Sequence, residues 1–190
     1  MRGRLRSVML TPLLALVVAL AGLVAIKLTG IALPGQAIRT TDYSYGITTP
    51  EPSVGDTVLF MVEPLDIAPG TTIEVVRITS AGTGDLRATG GRIYEKRFFG
   101  NAALVGWQSN RGEPDPRARP STDLVGSRLA ADPDYQRFIL LEFLVCAAGG
   151  STVDTVNVVY SVGGFRYEQT LHVSFGVRDA QPSNFPCPRR

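Results

Sequence analysis

Residues 7–26 carry no charge and read SVMLTPLLALVVALAGLVAI, behind Arg2, Arg4 and Arg6 and ahead of Lys27. As a helix rising about 1.5 Å per residue, the run after Ser7 reaches roughly 28 Å, close to the ~30 Å hydrocarbon core of a bilayer. Positive charge beside an apolar helix is held on the cytoplasmic side, so the long C-terminal part is expected outside. Residues 1–35 are therefore read as a cytoplasmic tip and a single transmembrane anchor, with Lys27 reaching to the headgroups. The competing reading is a signal peptide that is removed. A signal peptide's apolar region spans only about 7–15 residues, which favours retention. Gly30-Ile31-Ala32 and Gly35-Gln36-Ala37 nevertheless place small residues at a spacing a leader-cleaving enzyme accepts.

Charge has to be read without this segment. Residues 1–35 hold four of the 19 Lys and Arg and none of the 17 Asp and Glu, which leaves 15 basic against 17 acidic groups beyond them. No domain-wide basic field remains to collect phosphates, and nucleic acid is not expected as a partner. About 155 residues follow the anchor, enough for one compact core. Cys146 and Cys187, the two cysteines of the chain, are an even pair in a region expected to lie in an oxidising compartment. They are read as a disulfide.

Residues 36–56 are rich in Gly, Pro, Thr and Ser without an apolar period and read as a linker, with one short strand near residues 39–45. Residues 57–63 and 72–79 are β-branched runs separated by Pro64, Pro69 and Gly70: strand, turn, strand. A cluster of Gly82, Gly84, Gly90 and Gly91 leads to short runs at 92–99 and 102–108, with Gly100-Asn101 as a hairpin turn. Residues 109–136 carry Pro114, Pro116, Pro120 and Pro133 and read as a long loop, with a helix-compatible patch at 121–131. Residues 138–147 (FILLEFLVCA) are almost continuously apolar, as a central strand covered on both faces would be. Residues 153–162 follow, then Gly163-Gly164, whose positive φ suits a two-residue hairpin, then residues 165–177. In that last run Phe165, Tyr167, Leu171, Val173 and Phe175 alternate with Arg166, Glu168, Thr170, His172 and Ser174, the period of a half-buried antiparallel strand. The pattern predicts an all-β chain: an antiparallel, immunoglobulin-like β-sandwich over 57–178, behind one transmembrane helix and before a tail at 179–190. An open barrel is the alternative.

Reactive side chains are scattered. His172, the single histidine, falls mid-strand on the polar face, without a nucleophile or carboxylate beside it in the pattern. Two thiols and one imidazole are too few for a zinc site. Asp115, Asp123, Asp132 and Asp134 fit no ordered calcium loop and read as a solvated loop. Trp107, Phe98 and Phe99 read as core. Glu142 sits inside an apolar run and calls for an ion pair, with Arg77 or Arg137 as the expected partner.

Val54-Gly55-Asp56-Thr57-Val58-Leu59-Phe60 and Lys96-Arg97-Phe98-Phe99-Gly100 are similar to stretches of type I signal peptidases. Those enzymes join a membrane helix to an extracytoplasmic β-domain and use a Ser nucleophile with a Lys base. The resemblance implies Lys96 as that base. Its nucleophile would stand in a Ser-Met-x-Pro context, whereas Ser44 is followed by Tyr45 and Ser53 by Val54, so no catalytic residue is carried over. The expectation is a membrane-anchored extracytoplasmic protein with a non-catalytic binding, assembly or envelope-structural role. It would need no cofactor or metal, and would meet the bilayer and a membrane or envelope protein. A membrane-tethered envelope hydrolase is the alternative.

Overall fold

The protein is described by a computed structural model over residues 4–39, 42–62, 65–98, 106–108, 115–132, 134 and 136–188, with side chains described outside 4–13, 43–50, 98 and 106–108. The chain is mostly β, in two sheets, with a single α-helix, α1 (Arg4–Thr29), among the described residues.

Among the described residues eleven strands follow α1: β1 (Leu33–Pro34), β2 (Asp42–Pro50), β3 (Thr57–Val62), β4 (Thr72–Ala81), β5 (Leu86–Glu95), β6 (Gly106–Gln108), β7 (Thr122–Asp123), β8 (Arg128–Ala130), β9 (Arg137–Val145), β10 (Gly149–Val162) and β11 (Phe165–Ala180). One sheet has the order β1-β11-β10-β4-β8, with β2 also on β11; the other runs β6-β3-β9-β5-β7. The chain crosses between the sheets at five of the seven connections from β3 to β10. Inward residues of both sheets therefore share one core. At its centre Phe60 of β3 stacks on Phe175 of β11, with centroids 4.9 Å apart, and Phe143 of β9 meets both edge-on.

The last third folds as its pattern predicts. β9 is the middle strand of its sheet, between β3 and β5. Its odd-numbered residues Ile139, Leu141, Phe143 and Val145 enter the shared core. Leu140, on the opposite face, is buried with Leu59 and Tyr94 in a second cluster. Covering on both faces is why the run is continuously apolar. Val162 pairs with Phe165 across Gly163 (φ 58°) and Gly164 (φ 84°), as the hairpin turn requires. Cys146 and Cys187 are disulfide-bonded, with Cα atoms 5.6 Å apart. The bridge ties the C-terminal tail to the end of β9.

Four expectations are revised. The stretch read as a linker is part of the fold, because β1 and then β2 run along the same edge of β11. Both pairings are parallel, so the sheet is mixed. The chain leaves α1 beside the β10–β11 turn and must travel in the direction of β11. Ile38, between β1 and β2, is buried. The backbone there is held by side chains: Ala37 N–H donates to Tyr160 Oη at 2.9 Å, Ile38 N–H to Gln169 Oε1 at 3.2 Å, and Gln169 Nε2 donates to the Ile38 carbonyl. Second, the glycine cluster does not precede a strand starting at residue 92. Gly90 and Gly91 lie inside β5, where a Cβ on Gly91 would stand 3.0 Å from Leu124 Cδ2 and from the Leu140 carbonyl oxygen. Small size there admits Leu124 to the core. Third, a short 3-10 turn at Lys96–Phe98 ends β5, and β6 pairs with β3 rather than with β5. The hairpin expected across Gly100-Asn101 falls outside the described residues, as does Phe99. Fourth, residues 121–131 contain no helix. β7 pairs with β5 and β8 with β4, so this segment steps from one sheet to the other. Leu124 and Leu129 are its buried anchors.

The expected transmembrane span over residues 1–35 is not supported: among the described residues no helix is long and apolar enough to cross a membrane. Packing of α1 is informative all the same. Leu14, Leu16, Val17, Val18, Leu20, Leu23, Val24 and Leu28 are all exposed. At about 100° per residue these positions surround the helix. No face of the described part is reserved for the sheets.

Candidate functional site

Sequence-predicted candidates are spread over the molecule rather than gathered. Lys96 follows β5, and its backbone N–H donates to the Gln136 carbonyl at 2.8 Å, next to the start of β9. Ser53 precedes Gly55, whose N–H donates to Val145 at the other end of β9. A strand rises about 3.3 Å per residue, which puts Ser53 and Lys96 roughly 25–30 Å apart. Ser53 N–H instead donates to Asp56 Oδ2 at 2.7 Å. Ser44 is in β2, which lies against β3 and β6, while Lys96 lies beyond β5 across the sheet. The residues implied by the signal-peptidase resemblance are not brought together. His172 is exposed on β11, opposite Thr155 of β10 and Asp42 of β2. Trp107 lies in β6, paired with Leu59.

Three carboxylates of the 109–136 stretch, Asp115, Asp123 and Asp132, are each engaged by an arginine, while Asp134 is exposed. Asp115 caps the 3-10 turn at Pro116–Ala118, accepting from Arg117 N–H, and forms an ion pair with the Arg117 guanidinium at 2.8 Å. These hydrogen bonds to Arg117 hold the Asp115 carboxyl below its ordinary range, and Asp115 in turn raises Arg117. Asp132 accepts from Arg137 Nε at 3.1 Å. Asp123 lies 3.9 Å from Arg92. Among the described residues no group of three or more His, Cys, Asp or Glu could hold a metal ion.

Glu142 does have the ion pair its apolar setting demands, with a different partner: Arg92 Nε donates to Glu142 Oε1 at 3.1 Å. Arg137 is five residues from Glu142 on one strand, an odd spacing that sends the two to opposite faces. Arg77 is on β4, in the other sheet. Arg92 pairs in register with Leu140, so its side chain shares the Glu142 face. Its guanidinium also reaches Ser121 Oγ at 3.2 Å. Nearby Tyr94 is buried, and burial raises its phenol pKa. Arg92 thus ties β5, β9 and the incoming 121–123 segment together. The arrangement reads as a structural clamp, because every charge in it is engaged within the fold.

A different polar group lies at the opposite sheet, where α1 meets β11. Gly30 (φ 65°) ends the helix, its N–H still bonded to the Ile26 carbonyl at 3.2 Å. Lys27 Nζ stands 5.8 Å above the Phe165 ring, against the Gly163-Gly164 turn. Arg166, next along β11, approaches Gly30 so closely that a Cβ there would lie 3.2 Å from its guanidinium. Two adjoining hollows open here. One, about 530 Å³, is lined by Gly30, Val76, Arg77, Val159, Arg166 and Glu168, among others. The other, about 380 Å³, is lined by residues 26–30, Gly164 and Arg166. Arg166 borders both. Sequence alternation did place Arg166 on an outward face, and Lys27 at the headgroup end of the apolar run. Arg77 was missed as a member of this group, because its proximity depends on β4 pairing with β10 across a bulge. No protein-family model matches the chain, and no curated protein is significantly similar to it.

Proposed function

We propose that the chain is a membrane-tethered, extracytoplasmic protein: an immunoglobulin-like β-sandwich held at the bilayer by α1, with a non-catalytic binding or assembly role in the envelope. The observation that carries this reading is an apolar helix whose described side chains, from Leu14 on, are exposed all the way round, and which is joined without slack to the edge of the sheet. Water solvates such a surface poorly; eight exposed Leu and Val side chains would each favour an apolar surrounding by up to about 1.5–3 kcal/mol. The uncharged run of residues 7–26 and the three arginines before it support a tether at the bilayer and its orientation. The Cys146–Cys187 bridge supports an oxidising compartment for the sandwich. The separation of Lys96 from Ser53 favours a binding role over the hydrolase alternative.

The test is fractionation of cells producing the full chain, followed by alkaline extraction and by protease applied to intact spheroplasts. The expected result is a chain that stays with membranes at high pH and loses its sandwich to external protease. Recovery in the soluble fraction, or a sandwich sheltered until the membrane is broken, would overturn the reading.

A further inference from the structure

Three cations border two adjoining hollows where the exposed apolar surface of α1 ends. Lys27 lies on the β10–β11 turn, Arg166 follows it on β11, and Arg77 of β4 lines the same larger hollow as Arg166. Among the described residues none of the three belongs to an ion pair, whereas Arg87, Arg92, Arg97, Arg117, Arg128 and Arg137 all do. Glu168 is the one carboxylate lining the hollows, so the group keeps a positive excess. Val159, only 5% exposed although it lies outside the shared core, lines the larger hollow. Glycine at position 30 does two things here: it stops the helix, and it lets the Arg166 guanidinium close on the backbone. A cationic hollow with an apolar residue in its lining, set at the end of an apolar helix, suits a molecule with an anionic head and an apolar remainder.

We propose that this junction seats the phosphate of an anionic phospholipid, held by Lys27, Arg77 and Arg166 with the acyl chains lying along α1. The inference rests on the tether reading above. Guanidinium groups supply the planar, charge-assisted donors that a phosphate accepts best, and Lys27 adds a point charge from the helix side. The lipid would fix the tilt of the sandwich over the membrane, because Arg77 and Arg166 sit on two strands of one sheet.

The test is native mass spectrometry of the full chain in mild detergent, titrated separately with phosphatidylglycerol, phosphatidylcholine and glycerol 3-phosphate. One phosphatidylglycerol is expected to be retained in preference to phosphatidylcholine. Each nearby cation contributes modestly, so Arg77→Gln with Arg166→Gln should weaken retention about tenfold or more. Glu168→Gln should strengthen it by removing the opposing charge. All these positions are exposed, and circular dichroism of each variant checks the fold. Equal retention of the two lipids, no loss in the double variant, or no gain in Glu168→Gln would overturn the proposal. So would glycerol 3-phosphate competing as well as the lipid, which marks a free-anion site. Alkaline extraction of the same preparation separates the two ideas. A chain that stays in the membrane without lipid preference refutes this inference alone, and a chain found soluble refutes both.

Discussion

Cutting the disulfide gives the sharpest energetic prediction. Cys146 and Cys187 are 41 residues apart, and closing a loop of that size removes enough unfolded-chain entropy to stabilise the fold by about 4 kcal/mol. The native end of the loop reduces this figure. Beyond Ala180 the tail is held by the bridge between Ser53 and Gln181, by Ser183 Oγ donating to the Val54 carbonyl, and by Arg87 donating to the Pro188 carbonyl. Once the covalent tie is gone, the exposed residues 182–186 can fray and regain backbone freedom worth about 1 kcal/mol or more per residue, against which those few contacts are weak. Cys187→Ser should therefore cost about 2–3 kcal/mol. For a domain of this size that lowers Tm by roughly 5–10 °C. Thermal unfolding of the full chain in detergent reads this directly, with limited proteolysis to show new cleavage after Gln181. The Cys146→Ser/Cys187→Ser double variant should match the single one, since both only remove the tie. A Tm within about 1 °C of the parent, with the tail as resistant as before, would refute the reasoning.

Other perturbations follow from the packing. Phe175→Ala removes the ring stacked on Phe60 at the centre of the shared core and should cost about 3–5 kcal/mol in denaturant unfolding; a loss under 1 kcal/mol would mean the two sheets do not pack as described. Arg92→Ala leaves Glu142, only 17% exposed, without its partner, and should cost about 1–3 kcal/mol, while Glu142→Gln should cost less because the more exposed Arg92 keeps Asp123 and Ser121 beside it; the reverse order would refute the clamp. Asp115 is held below its ordinary range by Arg117, so its contribution is present above the unfolded carboxyl value near 4 and fades as pH falls through the lower folded value; Asp115→Asn should flatten the acid side of the stability profile and leave neutral pH less stable. Gly35→Val would drive a side chain into Tyr160, whose hydroxyl oxygen lies 2.9 Å from the Ala37 nitrogen; hydrogen exchange at residues 35–38 should rise sharply.

How far the sequence could be read depended on how local each signal was. β9, the β10–β11 hairpin and the disulfide were legible because an apolar run, a pair of glycines between alternating residues and an even cysteine count are contained in short stretches. β2 was legible only as one short strand near residues 39–45, because its partner β11 lies more than a hundred residues away and its own composition is that of a loop. β5 was misread for a related reason: Gly90 and Gly91 signal a turn by propensity, but in the fold they make room for Leu124. Residues 121–131 offered helical spacing, and the buried Leu124 and Leu129 anchor two short strands on different sheets instead. Glu142 showed that a cation was needed, but the expected partners Arg77 and Arg137 were the wrong ones, since facing direction singles out Arg92 only after register is known. The junction of Lys27, Arg77 and Arg166 was invisible for the same reason. Its members come from a helix and two strands, and no spacing in the chain links them.

Peptide mapping by mass spectrometry of the protein recovered from alkali-washed membranes tests the tether most directly. Peptides from residues 1–35 are expected to remain covalently joined to the β-rich part, with the Cys146–Cys187 peptide pair oxidised. A mature N-terminus at Leu33 or Ile38, with the sandwich in the soluble fraction, would contradict it.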